Sequence, residues 1–284
     1  MQKYAIFSLT SDDSLKPDHV KERPYYSFFA PLAAYLWNRI GYKSIVFAVG
    51  NTELNPVVLE ELHKNEAITI GINSIPGYRD STVAQFSRMF GALYRGLNQD
   101  DYCLTSDVDV LPFDGDYFNN LPSQDFHLWS ADHYHDNPDK MTRVPMCFNG
   151  GAVKIWKEIF GQNDMMFHLI KGLTSLNQNS DHWSAWFHDE TYLVAQLRKW
   201  SGFPNRCALM TRGTVTEMND VMAARRIDRA HWHEDMSNPI DSHSLRPGHC
   251  GANWESLLRI FNRVLDKDSI EYIQQYRERF VQSV

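Results

Sequence analysis

The sequence predicts an α/β fold: a mostly parallel sheet flanked by helices, an α+β region behind it, and a helical C-terminal tail. Three observations carry this. Short strand-like runs alternate with helix-length segments over the first hundred residues. No repeat, low-complexity stretch or Ser/Gly-rich linker divides the chain. A length of 284 residues with 43% hydrophobic content suffices for one substantial core. A single unit over 1–284 follows, with a front half at 1–113, a second half at 114–255 and terminal helices at 256–284.

Each element has its own signal. "YAIFSL" (4–9) predicts a first strand, "YYSFFAPLAAYLWNRIG" (25–41) a helix stopped by Gly41, and "KSIVFAVG" (43–50) a second strand. "NPVVLEELHKN" (55–65) places proline in a first helical turn, where its missing N–H costs nothing. "AITIGI" (67–72) predicts a third strand. "DSTVAQFSRMFGALYRGL" (80–97) predicts an N-capped helix, with Val83, Phe86, Phe90 and Leu93 at helical spacing. It leads into "DYCLTSDVDVLPF" (101–113), a fourth strand running out toward Pro112. That βαβαβαβ order implies right-handed crossovers and parallel strands. Beyond Pro112 the rhythm breaks. "HLWSADHY" (127–134) and "MCFNGGAVKIW" (146–156) each suggest a strand followed by irregular chain, "ETYLVAQLRKW" (190–200) an amphipathic helix, and "NWESLLRIFNRVL" and "SIEYIQQYRERFV" two more helices.

Composition excludes several function classes. A formal charge of -7 with scattered basic residues argues against nucleic acid, whose phosphates are held by clustered Lys and Arg. Cys103, Cys147, Cys207 and Cys250 form no CxxC pair, which removes the zinc knuckle and the redox dithiol. A reducing, cytoplasmic setting is expected, with two disulfides as the alternative. "MQKYAIFSLT" reads as a strand and not a signal peptide, and "YYSFFAPLAAYLW" is too short to span a bilayer. Membrane attachment, if any, is expected to be peripheral.

The chemistry concentrates around Asp107 and Asp109. On a strand, residues two apart share a side, and ligand sites of open parallel sheets lie at the carboxyl ends of the strands. Two carboxylates there repel each other and call for a cation, and their hard oxygens suit Mn²⁺ or Mg²⁺. The plain alternative is that both cap a turn.

"FSRMFGALYRGLNQDDYCLTSDVDVLPF" (86–113) resembles the donor site of GT-A glycosyltransferases, whose Rossmann-like nucleotide-sugar-binding half ends in a metal-binding DxD. "FNGGAVKIW" (148–156) is similar to the Asn-x-Gly strand of glycogenin-like members. "WFHDETYLVAQL" (186–197) resembles the "HDE" segment of blood-group and α-galactosyl transferases. The resemblance implies a nucleotide-binding half at 1–113, an acceptor and catalytic half at 114–255, a UDP-sugar donor by default and a carbohydrate acceptor. It makes Asp109 the direct metal ligand, places Asp107 on the ribose or the metal, and puts Arg88 on the donor. Asn149, Gly150 and Gly151 then line the sugar pocket; a bulge is the alternative for the glycines.

Asp189 and Glu190 are the expected catalytic carboxylates. By the blood-group-type resemblance Asp189 holds donor-sugar hydroxyls and Glu190 faces the reacting carbon; by analogy with inverting members Asp189 is the base. The bland alternative is a helix N-terminal cap. "HSLRPG" (243–248) loosely resembles the late glycogenin-type pattern and implies His243 as third metal ligand and Arg246 as a diphosphate contact. His182, Trp183 and Trp186 form an expected acceptor platform, because apolar sugar faces stack on aromatic rings; core packing is the equal alternative for Trp186. Two rivals remain: a zinc-dependent hydrolase built on His231, His233 and Asp235, and a non-catalytic carbohydrate-binding relative.

Overall fold

A computed structural model describes residues 1–11, 25–129, 140–176, 186–210, 225–230, 232–233 and 235–284. The front half follows the sequence closely: β1 (Lys3–Thr10), α1 (Tyr26–Arg39), β2 (Lys43–Val49), α2 (Pro56–Lys64), β3 (Ile68–Ile72), α3 (Asp80–Phe90) and β4 (Tyr102–Thr105). Then come β5 (Val110–Pro112), α4 (Gly115–Asn119), β6 (Phe126–Trp129), β7 (Asn149–Ala152), α5 (Val153–Phe160), α6 (Met165–Thr174), α7 (His188–Leu197) and β8 (Cys207–Met210). The chain closes with β9 (Arg226–Asp228), β10 (Asp241–His243), α8 (Gly251–Val264) and α9 (Lys267–Ser283).

Seven strands form one sheet in the order β3-β2-β1-β4-β7-β6-β8. Its β3-β2-β1-β4 part is parallel, as the crossovers require, and β7 runs antiparallel to both its neighbours. The mostly parallel α/β architecture expected from the sequence is therefore present. β1 shows how both faces are covered. Ala5, Phe7 and Leu9 join the apolar layer beneath α1, α2, α8 and α9, whereas Ile6 joins the opposite layer with α3, α5, α6 and α7. Alternation of side chains across the pleat produces this split.

Three expectations are corrected. The helix at 80–97 ends at Phe90 and passes into a tight turn over Gly91–Leu93. A Cβ at Gly91 would fall 2.6 Å from both Ile6 and Phe47, so the chain lies flush on the sheet there. Nor does Asp80 cap that helix: Arg79 is the N-cap residue and makes no side-chain cap bond, while Asp80 accepts a hydrogen bond from Ser74 Oγ at 3.0 Å. After "NGGA" the chain enters α5 directly, with Val153, Ile155, Trp156, Ile159 and Phe160 buried beneath it.

The tail belongs with the front half. Tyr276 of α9 stacks on Phe28 of α1, ring centroids 5.6 Å apart, and donates to the Phe28 carbonyl at 3.0 Å. Glu61 of α2, almost fully buried, accepts from Arg279 and from the Tyr272 hydroxyl of α9. All four cysteines are free thiols.

Candidate functional site

β4 stops at Thr105, and this changes the geometry expected for the two aspartates. Ser106 N–H still donates to the Ile6 carbonyl at 2.7 Å, but Val110 N–H turns back to the Asp107 carbonyl at 3.2 Å. Residues 107–109 are thus a turn, and the strand-like same-side placement of Asp107 and Asp109 is overturned. The cause lies downstream. Val110–Pro112 pairs antiparallel with β10 in a separate three-stranded sheet of order β5-β10-β9, so the chain must leave the main sheet between the two strands. Pro112, which has no N–H to donate, sits on the outer strand of that small sheet, where proline is tolerated.

The two carboxylates diverge to different cations. Asp107 pairs with Arg88 Nη1, and the other terminal nitrogen of Arg88 donates to Asp189 Oδ2 at 2.9 Å. Arg88 lies in the last turn of α3 and Asp189 in the first turn of α7, so one guanidinium ties together segments 101 residues apart in sequence. The Asp189 side chain is 2% exposed. Burial pushes its carboxyl up from the ordinary value, against the charge and hydrogen bond of Arg88 and the Glu190 N–H, which pull it down. Phe187, not Asp189, is the N-cap residue of α7, and it makes no side-chain cap bond. Asp189 is committed to Arg88, while Glu190 beside it is only half-buried.

Asp109 is held on the other side. Arg229 Nη1 donates to its Oδ2 at 2.5 Å, and the same oxygen lies 3.6 Å from Arg246 Nε and 3.7 Å from His243 Nε2. Ser244 N–H donates to the Asp109 carbonyl at 2.9 Å, which ties the turn to the end of β10. Arg246 also lies over the Tyr26 ring, its guanidinium carbon 4.8 Å from the centroid, and burial draws its guanidinium down to about 10. His243 Nδ1 faces Asp228 Oδ2 at 3.1 Å. Arg229 and Asp228 were not singled out from the sequence. Their only advance signal was their place at the end of the short "RID" strand.

Asn149 opens β7 next to this region. Its N–H donates to Thr105 Oγ1 at 2.9 Å, its amide nitrogen to the Pro145 carbonyl at 2.8 Å, and its buried Oδ1 has no hydrogen-bond partner among the described residues. Gly150 and Gly151 have reasons of their own to be small: a Cβ on Gly150 would strike Tyr102, and one on Gly151 would lie 2.8 Å from Phe126. Packing within the sheet accounts for both.

Of the expected acceptor platform, His182 and Trp183 lie outside the described residues. Trp186 is half-buried, and its carbonyl accepts from Gln85 of α3 at 3.4 Å. For the zinc alternative, His231 lies outside the described residues, and His233 and Asp235 are exposed. Among the described residues no three His, Cys, Asp or Glu side chains converge as a metal cluster. Of the residues expected to hold a cation, Asp109 and His243 approach each other, Oδ2 to Nε2 at 3.7 Å, whereas Asp107 turns to Arg88. Among the described residues no helix is long and apolar enough to cross a membrane.

No protein-family model matches the sequence, and no curated protein is significantly similar to it. Among solved structures it is similar to a crystal structure described as a glycosyltransferase involved in the glycosylation of the major capsid of PBCV-1. That match covers 97% of this chain and 100% of the other, at 10% identity and a TM-score of 0.41.

Proposed function

We propose that this chain is a GT-A-type glycosyltransferase, moving a sugar from a nucleoside diphosphate donor, UDP-hexose by default, to a carbohydrate hydroxyl with Mn²⁺ or Mg²⁺. The observation that carries the reading is the Arg88 bridge, which joins Asp107 of the 107–109 turn to Asp189 of the "HDE" segment at the carboxyl end of β4. The turn expected to bind the donor and the helix expected to carry the catalytic carboxylates thereby share one counter-ion, at the rim where open α/β sheets bind ligands.

In the reaction the bond from the anomeric carbon to the diphosphate oxygen breaks, and its electron pair leaves with the nucleoside diphosphate. The acceptor oxygen bonds to the anomeric carbon and passes its proton to Glu190 as the base. In this reading Glu190, half-buried beside the committed Asp189, faces the reacting carbon, while Asp189 holds Arg88 in position. Arg246 and Arg229 offer positive charge to the leaving diphosphate, where charge stabilisation counts most. Asp109 and His243 would hold the cation, which would supply Lewis-acid charge neutralisation and orientation of the diphosphate. Arg229 now occupies Asp109 Oδ2 and would have to leave it for a cation to bind there.

The test is calorimetric titration of UDP into the protein with Mn²⁺ and then with EDTA, for the parent, Asp109→Ala and Glu190→Gln. Metal-dependent binding is expected in the parent and absent in Asp109→Ala; Glu190→Gln should bind UDP normally yet lose at least 100-fold in turnover of the cognate UDP-sugar. Equal UDP binding by Asp109→Ala with Mn²⁺ present overturns the cation assignment.

A further inference from the structure

β9 and β10 run parallel in direct register, which sets Asp228 opposite His243. The pairing is locked from within: Arg226 and Asp241, both buried, form a two-point ion pair at 2.5 and 2.9 Å two residues before it, and the intervening Ile227 is fully sealed. Asp228 is fixed at both oxygens. Its Oδ1 accepts the Ala230 N–H at 2.9 Å, and its Oδ2 faces His243 Nδ1 at 3.1 Å. A carboxylate can only accept, so the proton of a neutral imidazole there sits on Nδ1, and Nε2 keeps its lone pair. That Nε2 points to Asp109, 3.7 Å away. On the other flank β10 pairs with β5, placing Val110 beside His243. The three-stranded sheet thus sets His243 between Val110 and Asp228, and Asp109 approaches the ring from the turn just before β5.

We infer that Asp228 is a positioning residue of the cation site: it fixes the tautomer and ring orientation of His243 so that Nε2 is presented, with Asp109, as a ready-made ligand pair. Carboxylates that hold the far nitrogen of a ligating histidine raise its basicity and remove the entropy of orienting it. The inference rests on the reading of Asp109 and His243 as cation ligands. It adds a residue of the chain that touches neither cation nor substrate.

The experiment titrates Mn²⁺ into the full chain with UDP present. Heat and the loss of the free Mn²⁺ paramagnetic resonance signal are followed for the parent, Asp109→Ala, Asp228→Ala and Asp228→Asn, with unfolding midpoints measured alongside. Asp228→Ala is expected to weaken Mn²⁺ binding by roughly 10- to 100-fold, the usual cost of losing such a support. Asp228→Asn should fall between it and the parent, since its amide has one acceptor oxygen where the carboxylate has two. Mn²⁺ affinity in Asp228→Ala within twofold of the parent, while Asp109→Ala abolishes binding, overturns the inference and leaves the cation site standing. An unchanged affinity with reduced stoichiometry and a lowered unfolding midpoint does the same, because it marks a structural role only. If Asp109→Ala binds Mn²⁺ as the parent does, the cation reading itself fails.

Discussion

The front half and the site region are held together by different physics. From β1 to β4 every strand is bordered by a strand next to it in the sheet and covered by helices, and the residues that decide the fold are apolar: Phe7, Trp37, Phe47, Phe86 and Phe90 are all sealed from solvent. The site is assembled from charge pairs between distant segments. Arg88 meets Asp107 and Asp189, while Arg229, Arg246 and His243 meet Asp109 across more than a hundred residues of sequence. Apolar burial is non-directional and sums over area, so it tolerates local error. A buried charge tolerates none, because removing one partner leaves the other uncompensated. The front half is thus sealed by apolar area, and the candidate site is joined by charge pairs.

The contrast can be broken at its strongest point first. Truncating Trp37→Ala, in the layer beneath α1, should cost about 3–5 kcal/mol, the range for removing a large buried aromatic, and should appear as a lower midpoint in guanidinium unfolding. A loss below 1 kcal/mol would mean that the front half is not the scaffold.

Arg88→Ala comes next, with roughly 3 kcal/mol, the low end for breaking a buried pair. Its signature is pH dependence. Asp189 already sits above its ordinary value through burial, and the loss of Arg88 removes a force that held it down. A carboxyl whose folded value lies above its unfolded one stabilises the fold at low pH and loses that contribution as pH rises through the folded value. The deficit of Arg88→Ala should therefore be larger at pH 8 than at pH 5, and Arg88→Ala combined with Asp189→Asn should flatten it. A pH-independent deficit would show that packing of the Arg88 stem, and not its charge, is what matters.

The smallest effect sharpens the comparison from the other side. Lys43 and Glu66 form an exposed ion pair at 3.0 Å on the front half. Lys43→Ala should leave the unfolding midpoint where it was, since surface pairs exchange one solvated state for another. A clear drop would mean that surface charge contributes to the scaffold after all.

How much was legible in advance divides along the same line. β1, α1, β2, α2, β3 and the start of α3 could be placed from hydrophobic periodicity and turn residues, because right-handed crossovers between neighbouring strands leave each element few alternatives. The end of α3 could not, since the reason the chain turns at Gly91 is the nearness of Ile6 and Phe47 on other strands. Asp107, Asp109, Asp189, His243 and Arg246 were legible as residue types in suggestive surroundings. Asp228 and Arg229 were not, because nothing local distinguishes them from other charged residues near a strand end.

The sequence by itself determined the α/β rhythm, the parallel core and the sites where carboxylates interrupt apolar runs, since these depend on spacing along the chain. Only the tertiary structure decided that Asp107 and Asp109 lie on a turn and face different cations, that Arg88 joins α3 to α7, and that Gly150 and Gly151 yield space to Tyr102 and Phe126. The physical reason is range. Periodicity reports which face of an element will be buried, but a charge is satisfied by whichever partner the fold brings within a few ångströms, and that partner's place in the sequence is arbitrary.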